Sequence, residues 1–286
     1  RSWRKFLGRL RMSDGVDSGV RSVGLALDVL ETVAFSPEEL GVTQIADRLG
    51  LTKGSVHRHL STLVERGYLK QNMQTARYSI GPKSRILARA APEIDLIQIA
   101  EGPMRDLRDA VGQTVVLSSM SPRGALVHFA VSSTSPIEIG VRPGSELSFA
   151  SSAQGRILLA YSPRPFQERI LARPIEKLTD RTIIKRDQLE AELGRIVKQG
   201  FASAPEETLL GINAIAGPIL DEHDTIVGSV AVVGSIQFLP ATPGEAIITA
   251  LKDCSEQISR RLGHGRASLQ LLRPSANGAS SRKRKV

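Results

Sequence analysis

The sequence predicts an α+β protein: an N-terminal winged helix-turn-helix domain, linker helices, and a C-terminal domain around an antiparallel sheet. Three observations predict it. Residues 43–69, TQIADRLGLTKGSVHRHLSTLVERGYL, carry helical apolar spacing on both sides of a glycine. Two short strand-like runs about a polar turn follow at once, as a wing would. Beyond Gly112 the period changes to that of strands, and helices then alternate with further strands, the mixed order of an antiparallel α+β domain.

In chain order, a first helix is read over 24–34. In the next, Ile45, Ala46 and Leu49 repeat at helical spacing, Thr43 is placed to cap the start, and Gly50 supplies the backbone freedom for the turn. Thr52 caps the helix that follows. At 100° per residue, Val56, Leu60, Leu63 and Val64 gather on one side; Gly54, Arg58, Ser61 and Thr62 face away, flanked by Ser55 and His57. That outward face is built to donate hydrogen bonds, the arrangement by which a helix-turn-helix reads DNA. Tyr68-Leu69-Lys70 and Arg77-Tyr78-Ser79-Ile80, around the turn 72–76, make the wing. His57 and His59, two apart, point in different directions on a helix, and no cysteine or third histidine stands near, so no metal site is expected.

Residues 84–111 are apolar at Ile86, Leu87, Ile94, Leu96, Ile97, Ile99, Met104, Leu107 and Val111, and read as linker helices interrupted by Pro92 and Pro103. Strands are expected at 115–118, 125–131 and 137–141. A short helix over 152–161 and an amphipathic one over 187–199, with Leu189, Leu193, Ile196 and Val197, come next. Strands at 212–220 and 226–233 precede a last helix near 244–262.

The formal charge of +9 is misleading as a whole-chain figure. Arg1, Arg4, Lys5, Arg9 and Arg11 at one end and Arg282, Lys283, Arg284 and Lys285 at the other account for all of it. Inside the neutral remainder, residues 52–89 hold eight Lys or Arg against Glu65 alone, a local +7, whereas residues 12–51 sum to −5. Attraction to phosphate is therefore concentrated on the second helix of the pair, the wing and the segment after it. The tails, 1–19 and 264–286, read as disordered basic segments; Met12-Ser13-Asp14-Gly15 looks like a more ordinary beginning, so residues 1–11 read as upstream sequence.

Hydrophobic content of 41% is enough to bury real cores. The single cysteine, Cys254, allows neither an intramolecular disulfide nor a zinc site, and its helical surroundings LKDCSEQISRRL point to packing. No apolar run approaches the ~20 residues of a membrane span, and no secretory leader is legible, so the cytoplasm is the expected compartment and no membrane partner is expected. Nucleophile-elbow, phosphate-loop, HExxH and dinucleotide motifs are missing from the sequence. Glu206 and Glu207, being adjacent, point to opposite faces of a strand and make a weak acid/base pair.

Over about residues 20–262 the chain resembles the isocitrate-lyase-regulator (IclR-type) transcription factors. The likeness rests on VRSVGLALDVLETV with LTKGSVHRHLSTLVERGYL, then LSFASSAQGRILLAY, ELGRIVKQGFASAPEETLLGINAIAGPI and VGSVAVVG, in that order. It implies a winged helix-turn-helix over 20–83, linker helices over 84–111 and a GAF-like effector-binding and oligomerisation domain over 112–263. It also implies a cytoplasmic bacterial or archaeal regulator of a catabolic or metabolic operon, a dimer or tetramer on a palindromic double-stranded operator, with no cofactor and no catalytic residues.

For DNA contact, Arg58 matches the arginine usual in the recognition helix of such proteins. Lys53, Ser55 and His57 occupy the helix-start positions, Ser61 and Thr62 complete the outward face, and Lys70 and Arg77 belong to the wing. An arginine fork binds guanine O6 and N7, whereas lysine and serine suit phosphate, so Arg58 is assigned mainly to readout. The resemblance places an effector pocket where Ser151, Ser152 and Ala153 begin a helix, beside Gly211, Asn213 and Ala214 on one strand and Ala231 and Val233 on another. Many relatives have Cys or Ser at the position of Ala214, serines at those of Ala231 and Val233, and an Asp near Ala204. Apolar side chains here favour an aromatic or partly apolar organic acid over a two-carbon acid such as glyoxylate. Two alternatives stay open: an enzyme with an appended DNA-binding domain, and an architectural DNA-binding protein whose second domain only oligomerises.

Overall fold

The computed structural model describes residues 20–90, 95–136 and 138–265. The chain divides into two units, one of Arg1–Leu96 with Arg142–Glu146 and one of Ile97–Val141 with Leu147–Val286. The cut falls inside the stretch read as linker. The expectations for the tails and for Pro92 lie outside the described residues, apart from His264 and Gly265.

In the first unit α1 (Arg21–Ala34), α2 (Val42–Leu49) and α3 (Lys53–Glu65) precede β1 (Leu69–Gln71) and β2 (Tyr78–Ile80). Gly41, not Thr43, is the N-cap of α2. Its amide donates to Gln44 Oε1 at 3.0 Å, the return half of a capping box, while no side chain at the cap accepts a first-turn amide as the threonine hydroxyl was expected to. Gly50 ends α2 at φ 65°, and Thr52 Oγ1 accepts the Ser55 amide at 3.3 Å to start α3, both as expected. Val29, Val33, Ile45, Val56, Leu60 and Leu63 fill the space between the helices, and Leu69 and Tyr78 close it from the wing. Each such side chain contributes about 1.5–3 kcal/mol on burial. The wing ladder pairs Leu69 with Ile80 and Gln71 with Tyr78, and Leu40 bridges to Tyr78 from the other side.

After the wing, α4 (Pro82–Ala90) buries none of its residues. In the second unit α5 (Leu96–Val111) runs straight through Pro103, which was expected to interrupt it. The lost backbone bond is made good from outside: Ile99 O, four residues earlier, accepts Arg261 Nη1 at 3.0 Å.

The sheet of this unit has the order β5-β4-β3-β8-β7-β6, made of β3 (Thr114–Met120), β4 (Ala125–Val131), β5 (Glu146–Leu147), β6 (Ala202–Ser203), β7 (Ile212–Leu220) and β8 (Ile226–Ser235), and the β3–β4, β3–β8, β7–β8 and β6–β7 pairs are antiparallel. The strand expected at 137–141 is not formed over its described residues. Residues 138–141 are irregular; Ile139 and Val141 pack on the sheet instead of pairing in it, and the edge is taken by β5. On one face lies α9 (Glu245–Arg261), with the Leu220 amide on Ser259 Oγ at 3.0 Å and Ser255 bonded to Pro218 O. On the other lies α6 (Ala153–Ala160), buried all round, backed by α7 (Arg164–Leu171), which was not expected, and α8 (Arg186–Gln199). Val197 is half exposed on α8, and Glu192 takes the inward place assigned to it.

Candidate functional site

On α3 the outward face is as the periodicity requires: Lys53, His57, Arg58, Ser61 and Thr62 are exposed and Ser55 is half-buried. One part of the expectation is corrected. Ser61 Oγ donates to His57 O at 3.0 Å and Thr62 Oγ1 to Arg58 O at 3.1 Å, so both hydroxyl protons are spent within the helix. What Ser61 and Thr62 present outward is oxygen lone pairs and, for Thr62, a methyl group. Donation from this face falls to Arg58, Lys53 and the ring of His57, whose Nδ1 lies 3.5 Å from Ser61 Oγ.

Lys70 on β1 and Arg77, immediately before β2, are exposed on the wing. Arg77 Nη1 donates to Glu39 O at 3.2 Å, which anchors that side chain beside the sheet. Glu39 is the organiser that pattern reading missed. Its carboxylate accepts Asn72 Nδ2 at 3.1 Å and Ser79 Oγ at 3.3 Å, fastening the wing to the chain ahead of α2.

In the second unit the expected effector residues are brought together only in part. Ser152 is the N-cap of α6: its Oγ accepts the Gly155 amide at 3.0 Å and donates to Ser148 O at 2.7 Å. With Arg156 N bonded to Ser152 O, helix geometry leaves the Ala153 and Gln154 amides as the first-turn donors for an anion. Ser151, Ser152 and Ala153 are all buried. A Cβ at Gly155 would collide with the Ser148 carbonyl, so only glycine lets the helix start lie this close to the preceding turn.

Ala214 pairs with Val233 and Ala216 with Ala231, and these four share the face toward α6. Ala231 sits fully buried in the core under α6, whereas Ala214 is half-buried beside Val233. Around Val233 lies a separate apolar cluster of Val116 and Val127, covered by half-buried Ile139, Val141, Leu147 and Ile212. Asn213 is not part of it. Adjacent to Ala214 on a strand, it points to the opposite face, where Nδ2 donates to Leu239 O at 3.1 Å and Pro240 O at 2.8 Å. Gly211 adopts φ 80° and gives its amide to Glu206 Oε1 at 2.9 Å, shaping the loop rather than lining the cluster.

The one buried ion pair of large consequence among the described residues was missed. Arg156, 1% exposed, spans three parts of the unit: Nε donates to Ala150 O at 2.7 Å, Nη1 to Ser203 O at 3.3 Å and to Glu207 Oε1 at 2.7 Å, and Nη2 to Glu207 Oε2. Glu207 Oε2 also accepts the Ile183 amide at 3.0 Å. Glu206 and Glu207 lie in a turn and not on a strand as expected: Glu206, at φ 57°, accepts the Gly211 amide, and Glu207 is committed to this pair.

Among the described residues no group of three or more His, Cys, Asp or Glu could hold a metal, and no helix is long and apolar enough to cross a membrane. Residues 22–72 match the IclR helix-turn-helix domain and residues 88–260 the C-terminal domain of the bacterial transcriptional regulator IclR. The chain is 30% identical over 253 residues to the glycerol operon regulatory protein of Streptomyces coelicolor, covering 86% of this chain and 98% of that one. It is 25% identical over 221 residues to the transcriptional repressor IclR of Escherichia coli, covering 76% and 81%. An IclR transcriptional regulator from Alicyclobacillus acidocaldarius superposes with a TM-score of 0.68 at 25% identity, covering 85% of this chain and 98% of that one. An IclR homologue from Microbacterium hydrocarbonoxydans, crystallised with 4-hydroxybenzoate, superposes with a TM-score of 0.70 at 21% identity, covering 85% and 99%. With both of its domains matched in chain order and its relatives named as regulators, the chain belongs to the IclR family of bacterial transcriptional regulators.

Proposed function

We propose that the protein binds a palindromic operator as a dimer or tetramer and releases or tightens its grip when an aromatic or partly apolar carboxylic acid enters the second unit. In this reading Arg58 reads a guanine, Lys53, Ser55 and His57 contact base edges and phosphates from the helix start, and Ser61 and Thr62 face the groove. Lys70 and Arg77 hold the flanking backbone. We place the DNA-binding domain at 20–83, the linker at 84–111 and the effector domain at 112–263.

The observation that carries the effector class is the cluster at Val116, Val127 and Val233, against which half-buried Ile139, Val141, Leu147, Ile212 and Ala214 pack, Leu147 and Ala214 also touching the core that holds α6. Apolar contact contributes roughly 25 cal/mol per Å² buried, whereas a sugar or a two-carbon acid would leave these walls unused. The 4-hydroxybenzoate bound to the Microbacterium homologue is a ligand of this class and supports the reading.

Calorimetry of the purified protein with aromatic and medium-chain carboxylic acids, glyoxylate serving as control, tests the class. Ala214→Asp sets an unpaired carboxylate against the cluster and abolishes the response while operator affinity is kept; Ala231 is too deep in the core for that test. Glyoxylate as the sole tight ligand, or a normal response from Ala214→Asp, contradicts the assignment.

For the assembly, Val20, Val23 and Leu27 form an exposed stripe along the start of α1, and Ile86 and Leu87 are exposed on α4. A second copy that covers these faces would also pair the recognition helices, matching a two-fold symmetric site. Light scattering on Leu27→Glu against the parent checks it; a parent protein that is monomeric yet protects a full operator refutes it.

A further inference from the structure

We infer that Met73, at the apex of the wing, is a minor-groove probe that gives this regulator a preference for A·T pairs flanking its major-groove contacts. The inference rests on the DNA-reading assignment above. Met73 is 91% exposed, more than any other large hydrophobic side chain among the described residues. An isolated exposed apolar residue needs no explanation by itself. The backbone turn that carries this one is cross-braced.

Asn72 Oδ1 accepts the amides of Gln74 at 3.0 Å and Thr75 at 3.3 Å, and Asn72 and Arg77 close the turn below it, N to O, at 2.8 Å. Ala76 takes a left-handed φ of 53°, its amide on Asn72 O at 2.9 Å and its carbonyl accepting Gln71 Nε2 at 3.3 Å. Asn72 Nδ2 pins the whole turn to Glu39. A tip so cross-braced loses little freedom on binding, and its apex is an unbranched thioether that adapts to an irregular surface.

Charge says what the tip meets. Residues 70–77, KQNMQTAR, hold a cation at each end and no carboxylate, so the partner is a polyanion. With α3 in the major groove, as the DNA-reading assignment has it, a wing that follows α3 after three residues would meet the neighbouring backbone and its minor groove. That groove, about 6 Å wide, admits a narrow turn with one side chain at its apex. Its floor is smooth at A·T pairs and carries the guanine N2 amino group at G·C pairs, which an apolar probe can neither bond nor displace at no cost. Methionine thus reads by fit what a polar tip residue would ignore.

Fluorescence polarisation with a selected operator tests this, using duplexes whose flanks are A·T, G·C or I·C, since inosine removes only the minor-groove amino group. The parent protein should bind A·T and I·C flanks alike and G·C flanks more weakly. Met73→Ser should erase that ratio and lose about tenfold on A·T flanks, as expected for removing a largely buried apolar contact. Met73→Leu should restore both, and thermal unfolding of all three should coincide. Arg58→Ala should lose discrimination at the core yet keep the flank ratio, which separates failure of the probe from failure of the DNA reading. A Met73→Ser protein with the parent's flank ratio, or a parent with no flank ratio, overturns the inference.

Discussion

Glu207→Gln is the substitution whose consequence the structure specifies most fully. It preserves the volume and one acceptor of the side chain but removes the charge facing Arg156, leaving a guanidinium that is 1% exposed with only the carbonyls of Ala150 and Ser203 and one neutral amide oxygen. Breaking one side of a buried pair costs about 3–5 kcal/mol, because the orphaned charge stays desolvated. The retained acceptor puts this case near the lower end, about 3 kcal/mol, and a unit of this size loses roughly 2–4 °C in Tm per kcal/mol. A fall of about 10 °C is therefore expected in the transition of the second unit, read by circular dichroism, with the transition of the winged helix unmoved. Arg156→Met with Glu207→Gln should recover part of the loss, since two neutral partners leave no buried charge, and the coupling should reach about 1 kcal/mol or more. A single Glu207→Gln variant within about 1 kcal/mol of the parent, with no coupling, would falsify the view that this pair is the keystone between α6, β6 and the loop at 204–211.

Two further outcomes follow from the same geometry. Lys70→Ala should weaken binding to every duplex and lower the salt slope by about one unit, because an exposed lysine on the wing neutralises one phosphate; gel shifts across salt and sequence check this. Cys254 is buried with its thiol on Pro103 O, and burial, reinforced by the Asp106 charge and opposed by Arg261, pushes its pKa up to about 12 from 9.0. The folded pKa is raised, so its contribution to stability is complete below about pH 9 and is lost as pH rises toward 12. A disulfide reagent at pH 8 should accordingly label it only as fast as the unit unfolds; rapid labelling of native protein would show the burial to be wrong.

The parts of the fold that a period can encode were legible in the sequence. The inward face of α3, the wing and the bounds of β7 come from spacing alone, because each buries one side against a core. What spacing could not reveal was how bonds are satisfied at a distance. Pro103 reads as a break until Arg261, far along the chain, is seen to take the freed carbonyl. Residues 137–141 alternate like a strand, yet Ile139 and Val141 cover the sheet without pairing in it. Thr43 looked like a cap because its hydroxyl type fits, yet the cap is Gly41, whose amide donates to Gln44.

The proposed effector site was legible in part for the same reason. Ser152 as a helix cap follows from its place before an apolar run. Grouping Asn213 with Ala214 ignored the alternation of strand side chains, which sends neighbours to opposite faces. Arg156 offered a signal that went unused: a lone cation in ASSAQGRILLAY, a run otherwise fit for complete burial, requires a carboxylate from elsewhere, and GluGlu at 206–207 was the available source.

In the proposed function α3 reads sequence through Arg58. Selection from random duplexes, followed by affinities for every single-base variant of the recovered site, tests it most directly. The account predicts a two-fold symmetric site with half-sites about 34 Å apart or a multiple of that, and an Arg58→Ala protein that loses discrimination at one guanine per half-site, by roughly 1–3 kcal/mol, while keeping it elsewhere. Recovery of no common sequence, or an Arg58→Ala protein whose relative affinities match the parent's at every position, would contradict it.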